Sequence, residues 1–370
     1  MDVFDLRAKL VSDYSTYVQS FVTIRDERIH ALVGQKLREG FLWPEALVQL
    51  NPRFAPGEPL SDLIAEKLLH PECQRIFAKM NEDGSGAVPI RLHSHQVEGI
   101  RAARAGDNYI LTTGTGSGKS LSYIVPIVDH VLRNGSGQGI QAIVVYPMNA
   151  LANSQLGELE KYLCRGYPKG QPPVRFERYT GQESDAKRRE IIESPPDILL
   201  TNYVMLELLL TRTDERQLVE QARGLRFLVL DELHTYRGRQ GSDVAMLVRR
   251  VREACQTNRL LHVGTSATMS SGGTWAEQQR EVGRVASQLF GVEVKPERVI
   301  GETLQRVTPE QDLSSMTFLE RLRKCVLEED VPSSSDVATF VRHPLAAWVE
   351  SQLGVMSDPE TGRLVRCPPR

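Results

Sequence analysis

The sequence has no two cysteines placed to act together. Its five, Cys73, Cys164, Cys255, Cys325 and Cys367, are scattered and odd in number. That excludes a disulfide framework or a zinc knuckle and points to a reducing compartment. No apolar run approaches the ~20 residues of a membrane span. The chain does not open with a basic stretch followed by an apolar one, so no secretory signal is read. Net charge is −2 over 370 residues; there is no whole-chain basic field, and any surface for a polyanion must be a local patch. These absences lead us to expect a soluble, cytoplasmic protein without membrane contact. What remains is ordinary globular composition, 41% hydrophobic and 25% charged, in a chain long enough for two or three domains.

The most informative stretch is Thr113-Gly114-Thr115-Gly116-Ser117-Gly118-Lys119-Ser120. An apolar run centred on Tyr109, Ile110 and Leu111 precedes it, and a helix-like segment follows. Strand, glycine loop and helix is the context a phosphate-binding loop needs. The glycines let successive N–H groups turn inward, and the helix N-terminus adds its partial positive charge. Lys119 then reaches the β- and γ-phosphates of a nucleotide, and Ser120 offers its hydroxyl to Mg²⁺. The strict pattern begins with Gly, where this sequence has Thr113.

Along the chain, Val11, Tyr14, Val18, Phe21 and Ile24, then Ile29, Leu32, Val33 and Leu37, repeat at helical spacing. Ser61 reads as an N-cap for a helix to Leu69. Residues 81–88 read as a flexible connector. Gln96 has an amide that can donate and accept, which suits an adenine edge. His93 and His95 lack further metal-ligating partners and read as solvated or capping residues. From 108 to 268, apolar runs at 108–112, 142–146, 174–179, 197–201, 225–230 and 260–263 alternate with amphipathic segments at 120–132, 150–163, 184–192, 203–210 and 242–255. This alternation predicts an α/β fold, a mostly parallel sheet with helices on both faces. Ligands of such sheets sit at the carboxyl ends of the strands.

Asp231-Glu232-Leu233-His234 follows the apolar run Phe227-Leu228-Val229-Leu230. Two adjacent acids at a buried strand end need a cation or a network to satisfy them. Asp231 can hold Mg²⁺, and Glu232 can orient and deprotonate an attacking water. Gly264-Thr265-Ser266-Ala267-Thr268 ends the last run, where small hydroxyls can bond the acidic loop and sense the γ-phosphate.

Together these pieces resemble the first RecA-like domain of superfamily two helicases of the DExH type. In that resemblance Gln96 is the adenine-reading glutamine, residues 113–120 are motif I, in which Thr commonly replaces the first Gly, and Asp231 to His234 are motif II. Thr265 to Thr268 are motif III, with His234, Ser266 and Thr268 coupling the site to movement. Residues 146–155, 179–182 and 196–203 resemble motifs Ia, Ib and Ic. The resemblance makes them contacts to one nucleic-acid strand, through Pro147, Asn149, Thr180, Gly181, Thr201 and Asn202. It implies ATP and Mg²⁺ as cofactors, with Lys119, Asp231 and Glu232 catalytic. The wording of motif Ia, and of 234–245 after motif II, is closer to large DNA helicases of repair and phage defence, including the bacterial mitomycin-repair type, so DNA is the favoured strand.

The expected organisation is an accessory helical region at 1–80, a RecA-like P-loop domain at 81–305, and a helical linker at 306–370. The arginine-finger pattern Gln-x-x-Gly-Arg-x-x-Arg of a second RecA-like domain is absent after Met269, so the chain reads as a fragment or split subunit whose second domain lies in a continuation or a partner. A clamp that binds nucleotide and strand without productive turnover is the alternative; the ordered motif set speaks against an unrelated P-loop NTPase or kinase. Lys187-Arg188-Arg189 and Arg249, Arg250 and Arg252 read equally as phosphate contacts and as solvated helix faces.

Overall fold

A computed structural model describes every residue except 1, 22, 44, 81–85, 115, 169–170, 267–272, 329–335 and 360. The chain divides into two compact units. One comprises Met1–Asn51, Thr308–Met356 and Arg366–Arg370; the other comprises Pro52–Val307 and Ser357–Val365.

The larger unit is built on seven parallel strands: β1 (Tyr109–Thr112), β2 (Ala142–Tyr146), β3 (Phe176–Tyr179), β4 (Ile198–Asn202), β5 (Phe227–Leu230), β6 (Leu261–Thr265) and β7 (Val299–Gly301). Their order across the sheet is β7-β1-β6-β5-β2-β4-β3. Parallel neighbours need crossovers, and these are helical. Seven helices carry the argument: α1 (Ser94–Ala105), α2 (Leu121–Asn134), α3 (Asn149–Leu163), α4 (Asp185–Glu193), α5 (Tyr203–Thr211), α6 (Gly238–Ala254) and α7 (Trp275–Phe290).

Side chains alternate across a strand, and here both faces are covered, so the central strands β1, β5 and β2 are buried along their whole length and mainly apolar. Tyr109, Leu111, Val144 and Val229 pack with Val97, Tyr123 and Leu159 of α1, α2 and α3. Ile110, Ile143, Val145 and Leu228 pack on the other face with Ile191, Leu206, Val248 and Phe290 of α4, α5, α6 and α7. The expected α/β class is what is seen. Strand β7 and helix α7 were not anticipated: β7 is three residues long, too short to show periodicity.

The units divide the chain elsewhere than at the expected 80/81 and 305/306. Leu60, Leu63, Leu69, Cys73, Ile76 and Phe77 are buried with α1 and α2 in the core of the sheet unit, so residues 52–80 are part of that unit. Ser61 is not a cap there, because the helix Leu60–Ala65 begins directly after Pro59. In the smaller unit, helices Val3–Ser20 and Glu27–Arg38 are capped by Asp2 and Asp26, and neither contains a buried residue. Its two chain ends are joined by backbone: Leu50 N–H donates to Leu353 O at 3.0 Å and Arg370 N–H to Val48 O at 3.1 Å. The segment after 307 therefore folds back onto the first fifty residues. No described helix is long and apolar enough to cross a membrane.

Candidate functional site

Three neighbouring strands, β1, β6 and β5, bring the charged groups to one part of the sheet's carboxyl edge. After β1 the chain turns through the glycine loop into α2. Thr113 Oγ1 and Ser117 Oγ lie 2.6 Å apart and close the loop across its base. Gly118 has φ 69°, and a Cβ there would sit 2.6 Å from Gln96 Nε2, so any other residue would be strained and would displace the Gln96 amide. Among the described residues a Cβ on Gly116 would meet no atom within 4 Å: the loop is open on that side, as an anion cradle must be. Lys119 Nζ lies 3.3 Å from Glu232 Oε1, and the pair is 12% and 22% exposed.

The acid turn after β5 is held by Thr265 at the end of β6. Its Oγ1 donates to Asp231 Oδ1 at 2.5 Å and accepts the Glu232 N–H at 3.0 Å. Glu232 takes a left-handed conformation, φ 51° and ψ 58°, which costs a non-glycine residue about 1–2 kcal/mol. Leu233 seats directly over Gly264, where a Cβ would come within 2.3 Å of its Cδ1. Burial raises the Asp231 carboxyl above its ordinary range; the Thr265 hydroxyl pulls it back and the Glu232 charge pushes it further up. His234 Nδ1 is 3.2 Å from Glu232 Oε2 and 3.4 Å from Ser266 Oγ. An Asp231 carboxyl driven towards protonation by burial and by the neighbouring Glu232 charge is relieved by a cation. The Asp231 carboxylate and the Ser120 hydroxyl are suited to hold Mg²⁺.

Gln96 is placed against the loop. Its Nε2 donates to Gly118 O at 2.8 Å and Ser117 O at 3.3 Å, while Oε1 accepts the His93 N–H at 2.8 Å. Both amide hydrogens are thus committed to the loop rather than presented to an adenine. His93 stands at the N-cap of α1. His95, expected to be solvated or a cap, is neither: it is fully buried, because α1 packs this side against the loop.

Three further strands, β2, β4 and β3, bring mainly neutral groups to the same edge. Asn202 Nδ2 donates to Asn149 Oδ1 at 2.6 Å and to Thr180 O at 3.3 Å, and Asn202 Oδ1 caps α5 through the Met205 N–H at 2.7 Å. Thr201 Oγ1 donates to Tyr179 O at 2.6 Å. The N–H groups of Thr180 and Gly181 both donate to Glu183 Oε2, at 2.8 and 2.9 Å, and Arg178 Nε donates to Glu183 Oε1 at 2.8 Å. Burial pushes the Glu183 carboxyl up, but these bonds outweigh it and hold it below the usual range. Pro147 lies between β2 and α3. Thr115 and Thr268 lie outside the described residues. Thr265, absent from the expected catalytic and coupling set, binds both acids, in keeping with the expectation that small hydroxyls at 264–268 can bond the acidic loop.

Residues 93–273 match the family model described as DEAD/DEAH box helicase. This segment is a DEAD/DEAH box helicase domain. The chain is 24% identical over 452 residues to Druantia protein DruE of Escherichia coli (strain UMEA 4076-1), covering 88% of this chain and 24% of that protein. It is 30% identical to ATP-dependent helicase hrq1 of Schizosaccharomyces pombe, covering 66% of this chain and 22% of that one. The chain thus spans about a quarter of the length of these curated relatives. In fold it is similar to the DUF1998 helicase MrfA solved with DNA, with a TM-score of 0.53 at 22% identity over 76% of this chain and 37% of that one.

Within the helicase domain the basic clusters have internal partners. Lys187 pairs with Glu177 at 2.9 Å and Glu190 at 3.0 Å. Arg250 pairs with Glu207. Arg249 donates to the carbonyls of Ala245 at 2.6 Å and Gln288 at 3.1 Å. These charges serve the domain's own cohesion.

Proposed function

We propose that this chain is the nucleotide-binding part of an ATP-driven motor that translocates on, and unwinds, nucleic acid, with DNA the favoured strand. One observation carries the reading: the strand order divides the carboxyl edge between the Lys119, Asp231 and Glu232 charges on β1-β6-β5 and mainly neutral hydrogen-bonding groups on β2-β4-β3, where the Arg178–Glu183 pair is closed on itself. The charged part is suited to phosphoryl transfer. Lys119 meets the β- and γ-phosphates of ATP, and Glu232 orients the attacking water and takes its proton. Mg²⁺, when bound at Asp231 and Ser120, neutralises charge on the phosphates. The neutral part, with Pro147, Asn149, Thr180, Gly181, Thr201 and Asn202, suits a sugar–phosphate backbone, which small polar groups and N–H donors track without reading sequence. His234, in contact with Glu232, and Ser266, in contact with His234, are suited to report phosphate release.

The sequence has no arginine-finger pattern after Met269, and such a finger contributes a factor of ~10³–10⁵ in related enzymes. Turnover therefore requires a second RecA-like domain, from further sequence or from a partner chain. The Lys119–Glu232 pair also favours a clamp as the second reading, since it masks the base until nucleotide draws the lysine away. The deciding experiment measures Mg²⁺-dependent ATP binding and steady-state hydrolysis, with and without single-stranded DNA or RNA, beside Glu232→Gln. Binding with negligible turnover is the expected result. Absence of Mg²⁺-ATP binding would sink the reading. Strong strand-stimulated turnover by the 370-residue chain would sink the requirement for a second domain.

A further inference from the structure

His95 lies in the helix before the phosphate loop and has no part in the reading above. It is 0% exposed, wedged by Phe54 at a ring distance of 5.5 Å and stacked on His93 at 5.6 Å. Its Nε2 lies 3.0 Å from Ser117 O. A carbonyl only accepts, so Nε2 carries the proton and Nδ1 is left as a lone pair. Among the described residues Nδ1 has no hydrogen-bond partner. A buried polar atom without a partner is a cost that an apolar residue here would avoid. The imidazole therefore has to be explained by what Nε2–H does.

A trans peptide points its C=O and N–H to opposite sides. Drawing Ser117 C=O towards His95 turns the Gly118 N–H the other way. Gln96 does the same one peptide on: its 2.8 Å bond to Gly118 O turns the Lys119 N–H in the same sense. At the far end of the loop Glu302, just after β7, accepts the Gly114 N–H at 3.4 Å. Burial lowers the His95 pKa to about 4, so the ring stays neutral with its single proton on Nε2.

We propose that His95 is a positioning residue for the phosphate loop. Its Nε2–H fixes the Ser117–Gly118 peptide plane so that the Gly118 N–H faces the phosphates of a bound nucleotide. This rests on the reading of the loop as a nucleotide site. It predicts that His95 acts on the phosphate chain and leaves the nucleoside alone.

The test compares His95→Gln with His95→Asn in the full chain. Both carry the same amide, but only Gln is long enough to return an N–H to Ser117. Affinities for a fluorescent ATP analogue with Mg²⁺ and for adenosine are measured alongside the thermal midpoint. His95→Asn should weaken Mg²⁺-ATP about tenfold, as loss of one buried hydrogen bond does, and His95→Gln should stay within about threefold of wild type; adenosine should be unaffected in both. Equal Mg²⁺-ATP affinity for the two variants, or equal losses for ATP and adenosine, overturns the proposal and leaves His95 a packing residue. Should His95→Asn not fold, His95→Gln decides alone: wild-type affinity supports the role and a tenfold loss overturns it. Failure of the wild type to bind Mg²⁺-ATP removes the nucleotide site itself, and this proposal with it.

Discussion

The two parts of the sheet's carboxyl edge obey opposite rules although the same sheet supports both. On β1-β6-β5 the polar groups are charged, partly buried and tense: Glu232 is left-handed, the Asp231 carboxyl is pushed up by burial, and Lys119 leans on Glu232. On β2-β4-β3 the groups are mainly neutral and satisfied: Asn202 joins Asn149, Thr180 and the start of α5, and the Arg178–Glu183 pair is closed on itself. Strain stored at a site is repaid when a ligand arrives, whereas a satisfied network keeps its shape. The difference teaches that one part waits for its ligand and the other is already formed.

The largest effect is expected where the charged part loses its cation. Lys119→Ala should weaken Mg²⁺-ATP about 10- to 100-fold, the range for a lost charge-assisted hydrogen bond, with strand binding unchanged. Titration with a fluorescent nucleotide reads it, and a loss below threefold would break the assignment of the loop. On the neutral part, Asn202→Ala removes a helix cap and the tie between three motifs. Cap loss costs about 0.5–2 kcal/mol, seen as a lower thermal midpoint, and strand affinity should fall several-fold. Nucleotide affinity should not move; if it does, the two parts are not separable.

A smaller effect tests the tension at Asp231. Its folded pKa is raised, so the folded state prefers the protonated acid; stability is complete below the unfolded carboxylate range and is lost as pH rises through the raised value. Above the raised value, without metal, the penalty is present in full. Asp231→Asn should therefore raise the metal-free thermal midpoint at pH 7, and the gain should shrink as pH falls towards the carboxylate range. Mg²⁺ with nucleotide should reverse the order. An unchanged or lower midpoint for Asp231→Asn in the metal-free protein at pH 7 would mean the acid is not under strain. Smallest of all, Lys187→Ala should change strand affinity by less than about twofold, because exposed ion pairs of this kind contribute little and Lys187 already has Glu177 and Glu190. A change in the salt dependence of binding would instead make it a phosphate contact.

Much of the sheet was legible because its central strands are buried on both faces and read as apolar runs. Phe227 to Leu230 is such a run. The edge strand β7 was not legible: three residues beside β1 carry no period. The role of residues 52–80 was hidden for a related reason. Helical spacing at Leu60 and Leu63 reports that a face is buried, but not against what. His95 looked like a surface histidine because its reason for burial, a loop carbonyl over twenty residues away, has no trace in local sequence.

By itself the sequence determined the motifs, their order and the chemistry each can perform: a glycine loop with Lys119, an acid pair at Asp231 and Glu232, and small polar groups at the other strand ends. These are local matters of residue type and spacing. Only the tertiary structure decided which motifs stand together. In the chain the order runs loop, Asn149, Thr180, Asn202, acid pair, Thr265; in the sheet β6 and β5 insert between β1 and β2. Parallel strands joined by crossovers need not be neighbours in sequence, and that freedom gathers Lys119, Glu232 and Thr265 into one site and Asn149, Thr180 and Asn202 into another.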